Sequence, residues 1–279
     1  MEFNVSKNTD SCQLFQVSIP LETLSIQQIL TQNIQKSTLN FLPNSSLSAV
    51  PLYRLNDTDS IIYRCPIALS LAKTTDLPST SIAFGIVKCL CQLKTSSQLE
   101  LEFSIQRVDR GWIDFYLSDR SLALWLEQIL QNTSIPTSYP PVSTTDLPSS
   151  NVFPLQYAHA RCQSLLRLAK ETGSIDIEAQ SFNESKDLLL LHPAQRNLIF
   201  QLLELADTKV SNRSQNWVKL AEQTSQAFLE LHRQCPIWEK NNPDFPRSAR
   251  VKLKLIKITQ YFLNWLLVEK IGVTAPNEL

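Results

Sequence analysis

The chain has 279 residues, enough for two modest domains with separate hydrophobic cores. Its 43% hydrophobic and 19% charged residues are ordinary for a globular protein, and its formal net charge of zero excludes polyanion binding through overall charge alone. Any site that binds a polyanion must come from a local excess of basic residues. Residues 151–279 are the more basic part, with sixteen Lys and Arg against thirteen Asp and Glu, whereas residues 1–140 carry ten against twelve.

The predicted elements of residues 1–131 mix helices with strands. Apolar residues recur at helical spacing in residues 21–39, 67–73, 79–93 and 118–130. Apolar and polar residues alternate in LELEFSIQRV, residues 99–108, and in GWIDFYLS, residues 111–118, as in half-buried strands. These patterns predict an α+β domain with a small antiparallel sheet and helices.

Residues 132–151 predict a linker. The stretch NTSIPTSYPPVSTTDLPSSNVFP, residues 132–154, holds five prolines and many Ser and Thr, and it shows no apolar periodicity. Such a composition is typical of a semi-extended segment between domains.

Residues 152–279 predict an all-α, helical-bundle domain. Pro193 stands at a plausible first helical turn, and two longer helical patterns cover residues 216–235 and 248–270. The turn-rich stretch PIWEKNNPDFPR, residues 236–247, separates them.

Several common sites and segments are missing from the sequence. The four glycines cannot form a phosphate-binding glycine-rich loop, and neither HExxH nor GxSxG occurs. The six cysteines form no CxxC pair and the three histidines are far apart, so we expect no metal site and no cofactor. We also expect no catalytic activity, no secretory signal, no membrane span, and a cytoplasmic location with reduced cysteines.

The stretch VFPLQYAHARCQSLLRLAK, residues 152–170, carries two polar faces on one helix. Gln156, His159, Gln163, Arg167 and Lys170 share one face, and Tyr157, Arg161 and Ser164 share another. One interpretation is a solvated polar surface. The other is an RNA contact, because arginine forks suit phosphate and aromatic or imidazole rings can stack on unpaired bases.

A second basic pattern lies near the end of the sequence. Arg250, Lys254, Lys257, Tyr261 and Asn264 fall within a sector about 80° wide on a helical wheel. Five basic and no acidic residues lie between positions 247 and 257. The pattern predicts either a surface that follows a phosphate backbone and stacks a base, or a lysine face that serves only solubility.

QYAHARCQSLLRLAK resembles the opening helix of the DALR anticodon-binding domain of arginyl-tRNA synthetases. LLLLHPAQRNLIFQLLEL, QAFLELHRQCPI and SARVKLKLIKITQYFLNWLLVEKIGVTAPNEL resemble its later segments in order. IIYRCPIALSLAK and VDRGWIDFYLS resemble parts of the same family's N-terminal additional domain. No HxGH or KMSKS signature of the catalytic core lies between the two parts.

The resemblance implies a non-catalytic protein that binds tRNA, an arginine-type tRNA in the simplest case, for a partner such as a tRNA-modifying enzyme. It implies contacts at the D-loop from the first domain and at the anticodon stem and loop from the second. The family's tyrosine-rich YLYxLA run is replaced here by Leu220, Ala221 and Glu222, and the family's asparagine on the matched strand is replaced by Asp114. The expected RNA-binding residues are Tyr157, His159, Arg161, Arg167, Arg250, Lys254, Lys257, Tyr261, Trp112 and Asp114.

A protein-interaction scaffold or assembly factor, built from former synthetase domains and without RNA binding, is the alternative. Three features favour a protein partner over RNA. They are the zero net charge, the substituted aromatic positions, and two tryptophans that we expect to be exposed, Trp217 and Trp238.

Overall fold

The computed structural model describes residues 15–21, 23–45, 49–57, 60–93, 100–132, 149–173, 175–177, 182, 192–211, 216–239 and 245–278. These residues form two compact units. The first comprises the described residues of Met1–Pro20 and Leu30–Ser118, and the second those of Leu21–Ile29 and Asp119–Leu279. The predicted linker residues 133–148 lie outside the described residues.

The first unit contains a five-stranded antiparallel sheet in the order β1-β4-β5-β3-β2. The strands are β1 Phe15–Pro20, β2 Tyr53–Arg54, β3 Ile62–Cys65, β4 Glu100–Val108 and β5 Trp112–Leu117. The helices of this part of the chain are α1 Ile26–Phe41, whose residues from Leu30 onward belong to this unit, α2 Ile67–Leu71 and α3 Ser79–Gln92. Both predicted strands, 99–108 and 111–118, are confirmed.

Alternation along β4 decides which face of the sheet is buried. Leu101, Phe103 and Ile105 are buried, while the residues between them are partly exposed. Phe103 meets Phe115 of β5 edge to face, with ring centroids 6.5 Å apart. A half-polar strand therefore gives one side to the core and leaves the other to solvent.

The turn between β4 and β5 requires a glycine. Arg110 and Gly111 have φ values of 66° and 93°, and a Cβ on Gly111 would lie 2.8 Å from the Ser79 carbonyl oxygen. The Ser79 hydroxyl donates to the Arg110 carbonyl at 2.8 Å, which ties the beginning of α3 to the turn. Only glycine combines that backbone conformation with so close a neighbour.

The second unit is helical. Its helices are α4 Asp119–Asn132, α5 Ser149–Thr172, α6 Pro193–Ser211, α7 Trp217–Gln234 and α8 Phe245–Trp265, and a π-helical turn, Leu266–Ile271, follows α8. The predicted fold class, α+β followed by all-α, is confirmed. Helix α5 begins three residues before the expected boundary at 152.

Residues Leu21–Ile29 join the helical unit through specific bonds. The Ser25 hydroxyl caps α1 by accepting from the Gln28 amide at 3.0 Å, and it donates to a carboxylate oxygen of Asp207 on α6 at 2.8 Å. The same oxygen accepts from the Gln27 amide at 2.9 Å. The indole of Trp125 on α4 donates to the Leu24 carbonyl at 2.8 Å. Buried polar groups thus fasten a segment distant in sequence to this unit.

Helix α8 lies at the centre of the second unit. Most of its residues are buried, including Leu255, Ile258 and Phe262, because α4, α5, α6 and α7 all contact it. The π-helical turn ends at Gly272, whose φ of 78° is the left-handed conformation that glycine adopts readily. No helix in the described part of the chain is long and apolar enough to span a bilayer.

Candidate nucleic-acid interface

Helix α5 has an outer face that is open to solvent. Phe153, Tyr157, Arg161, Ser164 and Leu168 recur every three or four residues, so they fall within about 80° of one another around the helix. Tyr157 is 44% exposed, and Phe153, which the sequence analysis missed, is 57% exposed. The spacing of four residues between Phe153 and Tyr157 could have shown that both rings lie on the same side of the helix. We call these five residues the α5 outer face.

Residues 272–278 cover part of the neighbouring polar face of α5, around Gln156 and His159. The Gln156 side-chain amide donates to the carbonyl and the hydroxyl of Thr274 at 2.9 and 3.2 Å. Arg167, which is exposed, pairs with Glu278. The expected solvated or RNA-facing side of this helix instead holds a segment of the chain itself.

His159 belongs to that covered face. It is only 1% exposed, and its Nδ1 lies 2.9 Å from the Pro276 carbonyl oxygen. A carbonyl oxygen only accepts, so Nδ1 carries the proton and the buried Nε2 is unprotonated. Burial lowers the pKa of His159 and the bond to Pro276 opposes this in part. The expectation that His159 stacks on a base is wrong in this arrangement, because the ring has no free face.

Arg161 lies beside His232 of α7. The Arg161 guanidinium approaches the Nε2 of His232 with its Nε at 3.3 Å and its Nη2 at 3.1 Å. The imidazole stacks on Phe228, with an interplanar angle of 8°. Burial, and secondarily the charge of Arg161, lower the pKa of His232, so a neutral imidazole accepts from the arginine. Arg161 is half-buried and its guanidinium is held at one edge of the outer face.

The expected exposed position of Lys254 is wrong. Lys254 is 3% exposed, and its ammonium pairs with Glu127 of α4 at 3.2 Å. It also lies 4.8 Å from the centre of the Phe182 ring, and Glu127 accepts from the Phe182 amide at 3.0 Å. A buried ammonium needs such a partner, since desolvation of an unpaired charge is costly. Lys254 therefore belongs to the core of the unit.

The other residues of the predicted basic stripe are spread over different surroundings. Arg250 is half-buried and donates through Nε to the Asp176 carbonyl at 2.9 Å. Lys257 is half-buried, whereas Asn264 is buried. Tyr261 is half-buried, and its hydroxyl accepts from the ammonium of Lys209 at 2.8 Å. The five residues do not form one exposed edge.

Trp112 and Asp114 lie on the open face of the sheet in the first unit. Asp114 is 1% exposed, because the guanidinium of Arg64 covers it with two bonds of 2.7 and 2.6 Å. Arg64 also lies 5.1 Å above the Trp112 ring, and Tyr53 meets that ring edge to face. The Asp114 carboxylate is thus fully engaged by protein, and Trp112 is half-buried.

The expected exposure of Trp217 and Trp238 is also wrong. Both are half-buried, and Trp217 packs edge to face against Trp265 with ring centroids 5.7 Å apart. Neighbouring helices cover rings that a sequence pattern places on a helix surface.

The described cysteines and histidines do not assemble a metal site. Within the described residues, no group of three or more His, Cys, Asp or Glu side chains could hold an ion. Cys65 and Cys162 are buried free thiols, and burial raises the pKa of Cys65 to about 12.

Comparison with known proteins connects this helical unit to tRNA recognition. Residues 155–279 match the DALR anticodon binding domain family. The match begins on α5, six residues after the helix starts, and runs through α6, α7, α8 and the segment that covers α5. No catalytic core domain is matched.

Curated relatives are arginine–tRNA ligases. The chain is 32% identical over 133 residues to the ligase of Moorella thermoacetica, 37% identical over 134 residues to that of Pelodictyon phaeoclathratiforme, and 25% identical over 130 residues to that of a Synechococcus species. These alignments cover 46%, 46% and 45% of this chain, and 22%, 23% and 22% of the respective ligases. The chain therefore spans about a fifth of the length of these relatives. No solved structure matches the chain.

Proposed function

We propose that this chain is a non-catalytic tRNA-binding protein that recognises an arginine-type tRNA for a partner enzyme. The observation that carries the proposal is the match of residues 155–279 to an anticodon-binding domain. The proposed RNA-contacting surface is the α5 outer face, because Tyr157 is exposed there and Arg161 lies beside it. An exposed ring supplies base stacking and an arginine supplies charge toward phosphate.

The other proposed RNA-contacting residues of the helical unit are Arg167, Arg250, Lys257 and Tyr261. Trp112 is the retained candidate of the first unit, where the resemblance to the N-terminal additional domain stays a prediction. Arg167 is exposed, and its surface ion pair with Glu278 contributes little, so phosphate can compete for it. His159, Lys254 and Asp114 are not proposed as contacts.

Retention of radiolabelled tRNA on filters tests the function. We expect the wild-type chain to retain arginine tRNA at near-physiological salt in preference to other tRNA, with affinity falling as salt rises. Absence of retention at both low and physiological salt contradicts tRNA binding. Equal retention of all tRNA species contradicts arginine specificity alone.

The alternative, a protein-interaction scaffold without RNA binding, is favoured by the apolar content of the same outer face. Phe153, Tyr157 and Leu168 are all exposed there, and exposed apolar groups that share a face often mark protein contacts. The two functions differ in salt dependence. A scaffold binds no tRNA at any salt concentration, and its partner binds with weak dependence on salt.

A further inference from the structure

Two lysines and three aromatic side chains come together where α6, α7, α8 and the π-helical turn meet. We call Lys209, Trp217, Tyr261, Trp265 and Lys270 the cation–aromatic cluster. The sequence analysis singled out Tyr261 and Trp217 separately, and it did not connect them because the five residues come from four separate elements. All except the buried Trp265 are half-buried, so the cluster reaches the surface.

The aromatic rings hold both ammonium groups in place. The Lys209 ammonium lies 4.7 Å from the centre of the Tyr261 ring and 4.9 Å from that of Trp265, and it donates to the Tyr261 hydroxyl. The Lys270 ammonium lies 5.1 Å from the centre of Trp217 and 5.4 Å from that of Trp265. These are cation–π distances. Both cations are thereby ordered before any ligand arrives, which lowers the entropy lost on binding.

The two charges have no counter-charge among the residues that the structure describes. In the described portion of the sequence, neither the Lys209 nor the Lys270 ammonium has a carboxylate within 4.0 Å. Lys252 and Lys254, which lie deeper, each pair with a glutamate. Within its described ranges, the helical unit thus pairs its two buried lysines and places no carboxylate beside Lys209 and Lys270.

We propose that the cation–aromatic cluster binds the sugar–phosphate backbone of an RNA strand, with Lys209 and Lys270 contacting phosphate and Trp217 contacting a base or ribose. The inference rests on the tRNA-binding function proposed above and adds a site to it. An acidic peptide needs only the two charges, whereas a nucleic acid uses charges and a partly exposed aromatic ring together. The combination in the cluster therefore favours RNA.

The test compares three double variants of the full chain by fluorescence anisotropy with labelled total tRNA at several salt concentrations. K209Q/K270Q removes both charges of the cluster, and K209R/K270R keeps them. K36Q/K88Q is the matched control, because it removes two charges from exposed lysines of α1 and α3 in the first unit. We expect K209Q/K270Q to lower the slope of log affinity against log salt by about 1.4 to 1.8, the loss of two phosphate contacts. The other two variants should keep the wild-type slope.

A second measurement on the wild-type chain covers the case in which K209Q/K270Q does not fold. Lysine acetylation followed by mass spectrometry should show tRNA protecting Lys209 and Lys270 while Lys36 and Lys88 stay reactive. Unprotected cluster lysines on a tRNA-bound chain overturn the inference, as does a folded K209Q/K270Q with the wild-type slope. Equal protection by poly-L-glutamate overturns it in favour of an acidic protein. A wild-type chain that binds no tRNA instead contradicts the proposed function itself.

Discussion

Tyr157 combines exposure with a neighbouring charge, because it is 44% exposed and lies one helical turn from Arg161 on the α5 outer face. His159, two residues later, is closed off by Pro276. Two nearby residues of one motif therefore differ in environment. Tyr157 is exposed to solvent, whereas His159 holds residues 272–278 against α5.

Replacing Tyr157 with alanine should weaken tRNA binding by about 5- to 150-fold, since stacking of one base on an aromatic ring contributes roughly 1–3 kcal/mol. Titration by anisotropy measures the change. Y157F is the control and should bind like wild type, because it keeps the ring. A loss in Y157F equal to that in Y157A would show that the hydroxyl, not the ring, makes the contact.

The hydrogen-bonded histidines His159 and His232 should make the stability of the fold depend on pH. Burial lowers the folded-state pKa of both His159 and His232 below their ordinary value of 6.5. The folded protein then binds fewer protons than the unfolded chain, so stability is fully present above about pH 6.5 and is lost as pH falls through the lower folded-state values. The midpoint of thermal unfolding should therefore be lower at pH 5.5 than at pH 7.5.

The double variant H159N/H232Q tests the origin of that dependence. Asparagine can replace Nδ1 as the donor to Pro276, glutamine can replace Nε2 as the acceptor from Arg161, and neither side chain titrates. The difference between the two pH values should shrink in this variant. A difference as large as in wild type would assign the pH dependence to other groups.

At the scale of helices, α4 and α8 are joined by the ion pair of Glu127 with Lys254. Replacing Glu127 with glutamine should destabilise the fold by about 2–4 kcal/mol, because it leaves a buried ammonium without its counter-charge. K254M/E127L should recover much of that loss. Urea unfolding of E127L, K254M and the double variant measures the coupling, and strictly additive effects would contradict it.

Residues 272–278 act as a cover on α5, and their removal should lower stability. Deleting residues 273–279 removes the bonds of Gln156 and His159 and uncovers buried surface, at a cost of about 2–4 kcal/mol. E278Q, which removes only the exposed ion pair with Arg167, should change stability by less than about 1 kcal/mol. Urea unfolding measures the free energy of unfolding of both variants. Equal losses in the deletion variant and in E278Q would show that the ion pair alone holds the segment.

Local pattern was sufficient to predict several elements. Alternation predicted β4 and β5, and apolar spacing predicted α7 and α8. Pro193 was expected in the first turn of a helix, and α6 begins at that residue. The environment of the polar residues could not be predicted in this way. A helical wheel places Lys254 in a sector beside the apolar stripe. Nothing in the sequence of α8 shows that Glu127, more than a hundred residues earlier, pairs with it.

The candidate site on α5 could likewise be predicted only in part from local sequence pattern. The wheel correctly separated Tyr157 from His159, but it could not show that residues 272–278 lie on the face that carries His159. The cation–aromatic cluster was invisible for the same reason, since its members are brought together only by the packing of helices. Sequence patterns resolve the faces of one helix, whereas tertiary contacts decide which face stays open.

At the scale of the whole chain, the helical unit extends beyond the DALR domain. Leu21–Ile29 and α4 belong to this unit, and they supply the partners of Asp207 and Lys254. The matched residues 155–279 therefore lack bonding groups that the complete unit possesses. The match begins at residue 155, whereas the bonds reach back to Leu21–Ile29 and α4.

Two fragments test this point. Residues 149–279 lack Glu127, while residues 119–279 retain it, so the longer fragment should be more stable by about 3–5 kcal/mol. Urea unfolding followed by circular dichroism provides the comparison. E127Q in the longer fragment is the control, and it should remove most of the stability that the longer fragment gains. Equal stability of the two fragments would contradict a structural role for α4 in the helical unit.

The cover on α5 has a consequence for synthesis on the ribosome. Thr274 is translated 118 residues after Gln156, so α5 leaves the exit tunnel long before its hydrogen-bonding partners exist. Throughout the translation of α6, α7 and α8, the imidazole of His159 faces water or whatever nascent-chain factor is nearby. Closure of such a distant contact is slow relative to helix formation, so α5 forms as a helix before it can reach its native environment.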